Sequence, residues 1–137
     1  NIFSIDREGG TFEEKLRRKI EAHFEILKKN PKIPFLVINE ITTNPERIAS
    51  LRDSIGELPL SVYATFEQDL QKEIAQGRVR ETNALDLMFS ALSLNLATFL
   101  VRPVLQNILG LTDEAMDGFL EHRKEENVKI ILQSLKP

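Results

Sequence analysis

An all-α bundle of about six helices is the fold this sequence predicts, and three observations lead to it. Apolar side chains recur at helical spacing in segment after segment. The breaks between segments fall on capping residues, Gly and Pro. The single β-branched run, Phe35 to Ile41, has no second run to pair with, and an isolated strand leaves its backbone groups unsatisfied. At 137 residues the chain suits one domain that buries a core without staples. With no Cys, a disulfide is impossible. Two His and no acidic cluster at ligand spacing exclude a structural zinc or iron-sulfur site, and no cofactor is expected. The net charge of -3 gives no global attraction to phosphate. A reducing cytoplasm fits this composition. The chain begins at Asn1 with no initiator Met, and is expected to be a piece of a longer protein.

Residues Asn1 to Gly10 read as the tail of an earlier element followed by a turn at Gly9 and Gly10. Thr11 with Glu14 three residues on forms a capping box, opening a helix over about Phe12 to Lys29. Its inward stripe is Phe12, Leu16, Ile20, His23, Phe24 and Leu27; Glu13, Lys15, Arg17, Arg18, Glu21, Glu25 and Lys28 form an ordinary solvated face. Pro31 and Pro34 break that helix. Phe35 to Ile41 is strand-like by propensity, yet Pro34 suits a first helical position, and a helix is expected. Asn44, Pro45 and Glu46 then open a short helix ending at Ile55, with Gly56 as its stop. Pro59 opens the next, whose stripe of Val62, Tyr63, Phe66, Leu70 and Ile74 ends at Gly77.

The stretch from Ala84 to Leu105 dominates the chain. Thr82 or Asn83 can cap it, Asp86 and Arg102 are its only charges, and its apolar residues wrap well past one face. Small or short groups, Asp86, Ser90, Ser93 and Ala97, make one stripe where another helix can approach closely. The uncharged part, Leu87 to Val101, is shorter than the roughly 20 apolar residues that cross a bilayer. No membrane contact is therefore expected, and a partner subunit is the better cover. Pro103 must kink or end this helix, after which Val104, Leu105, Ile108 and Leu109 continue the apolar surface to Gly110. Thr112 caps the last helix, which runs to about Leu135 with Asp113 and Glu114 in its first turn. Val128, Ile130, Ile131, Leu132 and Leu135 surround much of its axis, so it too requires two partners.

Three groups of residues in this order resemble the C-terminal effector-binding and dimerisation domain of the TetR family of transcriptional regulators. They are Pro34 to Glu40 followed by Asn44, Pro45 and Glu46; Gly77 to Arg80 before the apolar helix; and Leu120 to Lys124 in the last helix. The resemblance implies that the last two long helices pair with those of a second copy in a four-helix bundle. It also implies that the earlier helices enclose a cavity for a small hydrophobic or amphipathic effector. Ligand-binding candidates are then His23, Phe24, Leu27, Glu40, Tyr63, Phe66, Leu70 and Phe89. Of these, His23 reads either as a polar handle in the cavity or as a buried His bonded to a carbonyl. Glu40 either points into the cavity or sits at a helix edge paired to an Arg. Homodimer-interface candidates are Ser90, Ser93, Ala97, Phe119, Arg123 and Ile131, with Arg123 pairing across the interface or snorkelling. Members of the family read a palindromic operator through an N-terminal helix-turn-helix, for which there is no room before Phe12; operator DNA is contacted only through that absent part.

No catalytic group emerges. There is no Cys nucleophile, nucleophile elbow or glycine-rich phosphate loop, the two His lie on different helices, and His122 with Glu126 makes a poor exposed metal clip. The rival to a sensor domain is a helical adaptor that binds another protein through the same apolar helices. A cavity of roughly 300 to 1,000 Å³ walled by the first helix, the Phe35 segment, the Tyr63 helix and the central helix distinguishes the two, because an adaptor is packed solid there.

Overall fold

The computed structural model describes residues 9–47 and 58–137. Every element among them is a helix: α1 (Phe12–Lys29), α2 (Ile33–Thr43), α3 (Leu58–Ala75), α4 (Ala84–Leu109) and α5 (Asp113–Ser134). The other expected helix, Pro45 to Ile55, lies from residue 48 onward outside the described residues.

Local chemistry sets the boundaries. The Thr11 hydroxyl accepts from the Glu14 amide at 3.2 Å, the Asn83 side chain from the Asp86 amide at 2.9 Å, and the Thr112 hydroxyl from the Ala115 amide at 3.0 Å. Each cap satisfies one donor that the first helical turn leaves open. At the other ends, Gly77 (φ 76°) and Gly110 (φ 63°) take the left-handed conformation that turns a chain out of a helix at no steric cost. Phe35 to Ile41 is helical, as expected, within α2.

Pro103 neither ends the central helix nor divides it: α4 continues to Leu109. Proline removes one backbone N–H, and the helix carries that loss in a last stretch that is largely exposed. Length arguments change accordingly. Among the described residues, α4 is the one helix long and apolar enough to cross a membrane by length and composition. Its inner side is nonetheless committed to the bundle, where Ala84, Leu87, Ala91, Asn95, Thr98 and Phe99 are buried.

α1, α4 and α5 form a three-helix core, with α3 laid across α1 and α4, and α2 resting on α4. The apolar interior is in two parts. One cluster joins Leu16 and Ile20 of α1, Phe66 and Leu70 of α3, Leu87 and Ala91 of α4, and Val128 and Ile131 of α5. The second joins Phe24 and Leu27 of α1, Phe99 of α4, and Met116 and Leu120 of α5. Both clusters are met in the same order along α1 and α4 and in reverse order along α5, so α5 runs back antiparallel to its two neighbours. Phe24 meets Phe99 edge-on, with centroids 4.9 Å apart and planes at 61°. This geometry places the positive rim of one ring against the negative face of the other.

Two expectations fail here. Ile131 is 2% exposed within the single chain and belongs to the first cluster, so it is not a dimer-interface residue. Val128 and Leu135 are buried beside it, so the end of α5 is covered by its own domain; α1 and the connector at Val79 supply the second partner that the sequence assigned to another subunit. The α1 face read as merely solvated also pairs across to α5. Lys28 meets Glu121 at 2.7 Å, and Lys124 meets Glu25 at 3.0 Å and Glu121 at 3.1 Å. Hydrogen bonding to Glu121 raises the Lys28 pKa and lowers that of the Glu121 carboxyl, but exposed pairs of this kind contribute little to stability.

Phe24→Ala and Phe99→Ala are each expected to lower the stability of the chain by about 3–5 kcal/mol. The double variant falls short of the summed losses by about 0.5–1.5 kcal/mol, because the edge contact is lost only once. Urea unfolding at one fixed protein concentration measures both quantities.

Candidate functional site

A cavity of about 310 Å³ opens where α3 leaves α1 and α4 incompletely covered. α1 contributes Leu16, Lys19, Ile20 and His23; α3 contributes Val62, Tyr63 and Phe66; α4 contributes Leu87, Met88, Ala91, Leu92 and Asn95. Helical spacing explains the α4 wall. Leu87, Ala91 and Asn95 lie one turn apart, and Met88 and Leu92 form the adjacent row. The small side chain of Ala91 leaves room between the larger residues. Leu92, at 43% exposure, carries the lining out to the surface. Lys19 holds its ammonium 4.6 Å above the Phe66 ring, and Phe66 in turn stacks on Phe12 at 5.8 Å.

His23, Tyr63 and Phe66 are the predicted ligand residues that the structure brings together here. Phe24 and Leu27 point instead into the second core cluster, where Phe99 and Met116 occupy the space a ligand was expected to take. Leu70 is fully buried in the first cluster, one turn beyond Phe66. Phe89 is 71% exposed: α4 is apolar on every side, and its orientation turns Met88 inward and Phe89 out. Glu40 is on α2, paired with Arg47 at 3.4 Å, and no described residue of α2 lines the cavity. The Phe35 segment is therefore not one of its walls, because α2 rests on α4 at a different place. Sequence reasoning missed Ala91, although a small residue one turn from the Asn95 amide in an otherwise large, apolar helix was a usable signal.

A chain of polar groups starts at the cavity and crosses the core. Asn95, fully buried, donates from Nδ2 to the Ile20 carbonyl at 3.0 Å and meets His23 Nδ1 at 3.0 Å. Its Oδ1 accepts from Asn127 Nδ2 at 3.0 Å, and Asn127 Oδ1 accepts from Arg123 Nε at 2.7 Å. Thr98 donates its hydroxyl to the Leu94 carbonyl at 2.9 Å and accepts a longer bond from Asn127 Nδ2 at 3.4 Å. Both amides are buried and satisfied, which is the condition under which such groups are tolerated in a core. Arg123, expected to reach a partner or the solvent, is thus tied into its own domain. Burial lowers the His23 pKa below its ordinary value of 6.5, since a charged imidazolium is poorly solvated there.

On the opposite side of α4, Ser90, Ser93 and Ala97 are exposed. Ala97, Phe119 and Arg123 come together with Leu94, Thr98, Val101 and Leu105 along a shallow groove of about 230 Å³ between α4 and α5. Val101, Val104 and Ile108 extend that exposed apolar surface along α4 at 44%, 53% and 74% exposure. Among the described residues no group of three or more His, Asp or Glu could hold a metal ion. Comparison of the chain with family models, with curated proteins and with solved structures finds no match.

Asn127→Ala strands the buried Asn95 Oδ1 and is expected to cost about 2–3 kcal/mol in urea unfolding. Gln133→Ala, on the exposed side of the same helix, is expected to stay within about 0.5 kcal/mol of the parent. pH gives a second check. Below 6.5 the unfolded chain takes up a proton that folded His23 resists, so stability falls as pH falls from 6.5 through the lower folded value; above 6.5 His23 contributes no slope. The difference in unfolding free energy between the parent and His23→Phe, followed from pH 7.5 to 5.5, is expected to shrink as the pH drops and to be flat above about 7.

Proposed function

We propose that the chain is a ligand-sensing, dimer-forming domain of the kind that TetR-like transcriptional regulators carry beside their DNA-binding part. The observation that carries this reading is the cavity of about 310 Å³, walled by three helices and lined mostly by apolar side chains, with Lys19, His23, Tyr63 and Asn95 bringing its polar groups. Its volume falls at the lower end of the range of small-molecule sites, roughly 300–1,000 Å³. A protein adaptor has no use for such an opening, and its core would be closed at Ala91.

The outer face of α4 supports the second half of the proposal. Ser90, Ser93 and Ala97 keep that face shallow, and exposed Val101, Val104 and Ile108 make it apolar, a combination that suits a second helix pair at close range. In this reading the partner is a second copy of the chain. The polar chain from His23 through Asn95 and Asn127 to Arg123 joins the cavity wall to the groove on that face, and so offers a physical route by which ligand binding is felt where the subunits meet. Operator DNA would be contacted through a helix-turn-helix part of the kind such regulators carry, and enzymatic activity has no part in the proposal.

Light scattering is expected to return twice the 15.7 kDa chain mass, and Ser93→Arg is expected to return one chain mass, because a long cation in a close helix contact cannot be solvated. A monomeric parent chain, or a variant that stays dimeric, overturns the dimer. Thermal-shift screening with small apolar molecules tests the sensor: binders should raise the melting temperature of the parent, and none doing so overturns the cavity reading.

A further inference from the structure

We infer that the cavity selects uncharged apolar molecules bearing one hydrogen-bond acceptor, and that they seat that acceptor on the Nε2–H of His23. The inference rests on the ligand-sensing reading and names the ligand class for it.

Hydrogen-bond direction carries the argument. A buried amide can ordinarily be turned end for end, but here both ends of the chain are pinned. The Ile20 carbonyl is only an acceptor, so the Asn95 group facing it at 3.0 Å is the NH2. Arg123 Nε is only a donor, so the Asn127 group facing it at 2.7 Å is the oxygen. Asn127 therefore donates to Asn95 Oδ1, and the second hydrogen of the Asn95 NH2 is directed at His23 Nδ1, 3.0 Å away. Nδ1 must present its lone pair. The ring is then neutral and carries its single proton on Nε2. Protonating Nδ1 would set one N–H against another in a buried layer, so the core itself keeps His23 in this tautomer.

Nε2 lies across the ring from the Asn95 contact, and among the described residues it has no hydrogen-bond partner. His23, a lining residue, thus keeps a fixed donor at Nε2; the other polar groups of the lining are Lys19, the Tyr63 hydroxyl and the already satisfied Asn95 amide. A ligand carbonyl, ether or nitrile satisfies it. A ligand ammonium meets a donor with a donor and gains nothing for its own desolvation. A carboxylate would have to draw on Lys19, whose ammonium already sits over the Phe66 ring.

The test uses benzophenone and diphenylmethane, which share two phenyl rings and differ by a carbonyl in place of a methylene, titrated into the 137-residue chain by calorimetry or NMR. Benzophenone is expected to bind about fivefold more tightly, the net worth of one neutral hydrogen bond. In His23→Phe the two are expected to agree within about twofold, the carbonyl having lost its donor. A readout on the parent chain needs no variant to fold. With only two His present, long-range ¹H–¹⁵N spectra should show His23 protonated at Nε2, and that nitrogen should shift with benzophenone but not with diphenylmethane. If the two probes bind equally, or His23 carries its proton on Nδ1, the acceptor rule is overturned while the cavity stands. If diphenylacetate binds more tightly than benzophenone, Lys19 is the anchor and the rule is again overturned. If neither neutral probe binds, it is the sensor reading beneath it that falls.

Discussion

The hydrogen bond between Asn95 and Asn127 is the constraint on which the arrangement of the helices depends. It lies in a polar layer between two apolar clusters, with Ala91 and Val128 on one side and Phe24, Phe99 and Leu120 on the other. Apolar packing alone would tolerate α5 slipping by a turn against α4, because one leucine or isoleucine substitutes for another at modest cost. An amide cannot slip that way. Moved by one turn, Asn95 and Asn127 would each face hydrocarbon, and an unpaired buried amide costs on the order of 1–3 kcal/mol. The pair therefore contributes less to the depth of the folded state than to its uniqueness, and the Ile20 carbonyl brings α1 under the same restriction.

Once α1, α4 and α5 are in register, the cavity follows from what remains to be covered. α3 crosses α1 and α4 with Phe66 and Leu70 seated in the first cluster, while Val62 and the partly buried Tyr63 line the cavity. Filling the remaining space would take a large side chain on α4, and the residue there is Ala91. The space stays open because it borders the polar layer: a residue bulky enough to close it would crowd His23 and Asn95 and risk their hydrogen bonds. The two orders of cost are comparable, a few kcal/mol for a void against a few for a broken polar layer, so an open site at this position is compatible with a stable core.

Segment ends were legible in the sequence, and segment faces were not always. Thr11, Asn83, Thr112, Gly77 and Gly110 act at helix ends through chemistry local to a few residues, so composition alone located them. Phe35 to Ile41 was readable as helix against its propensity because it had no pairing partner. The inward side of α4 could not be read, since a helix apolar all round has no pattern to orient it. Phe89, a cavity candidate by sequence, accordingly faces out, and Asn95 faces in. Ile131 failed for a related reason: a surplus of apolar residues shows that a helix is covered twice, but not whether the second cover is α1 of the same chain or a helix of another. Pro103, which by its intrinsic effect must kink or end a helix, does not end this one.

The two apolar features left by this fold share one wall. Leu87, Ala91 and Asn95 face the cavity, while Ser90, Ser93 and Ala97 face outward from the same helix, so the two surfaces are separated by roughly one helix diameter, about 10 Å. A change on one side of a close-packed helix cannot be absorbed within so short a distance without moving the helix or breaking a bond through it. The bond that ties the helix to α5 at this level is the one between Asn95 and Asn127, and it is buried and directional. The proposed sensing at the cavity and association at the outer face would therefore not require a long path through the molecule; they would require only that α4 be held by a layer that tolerates one register and no other.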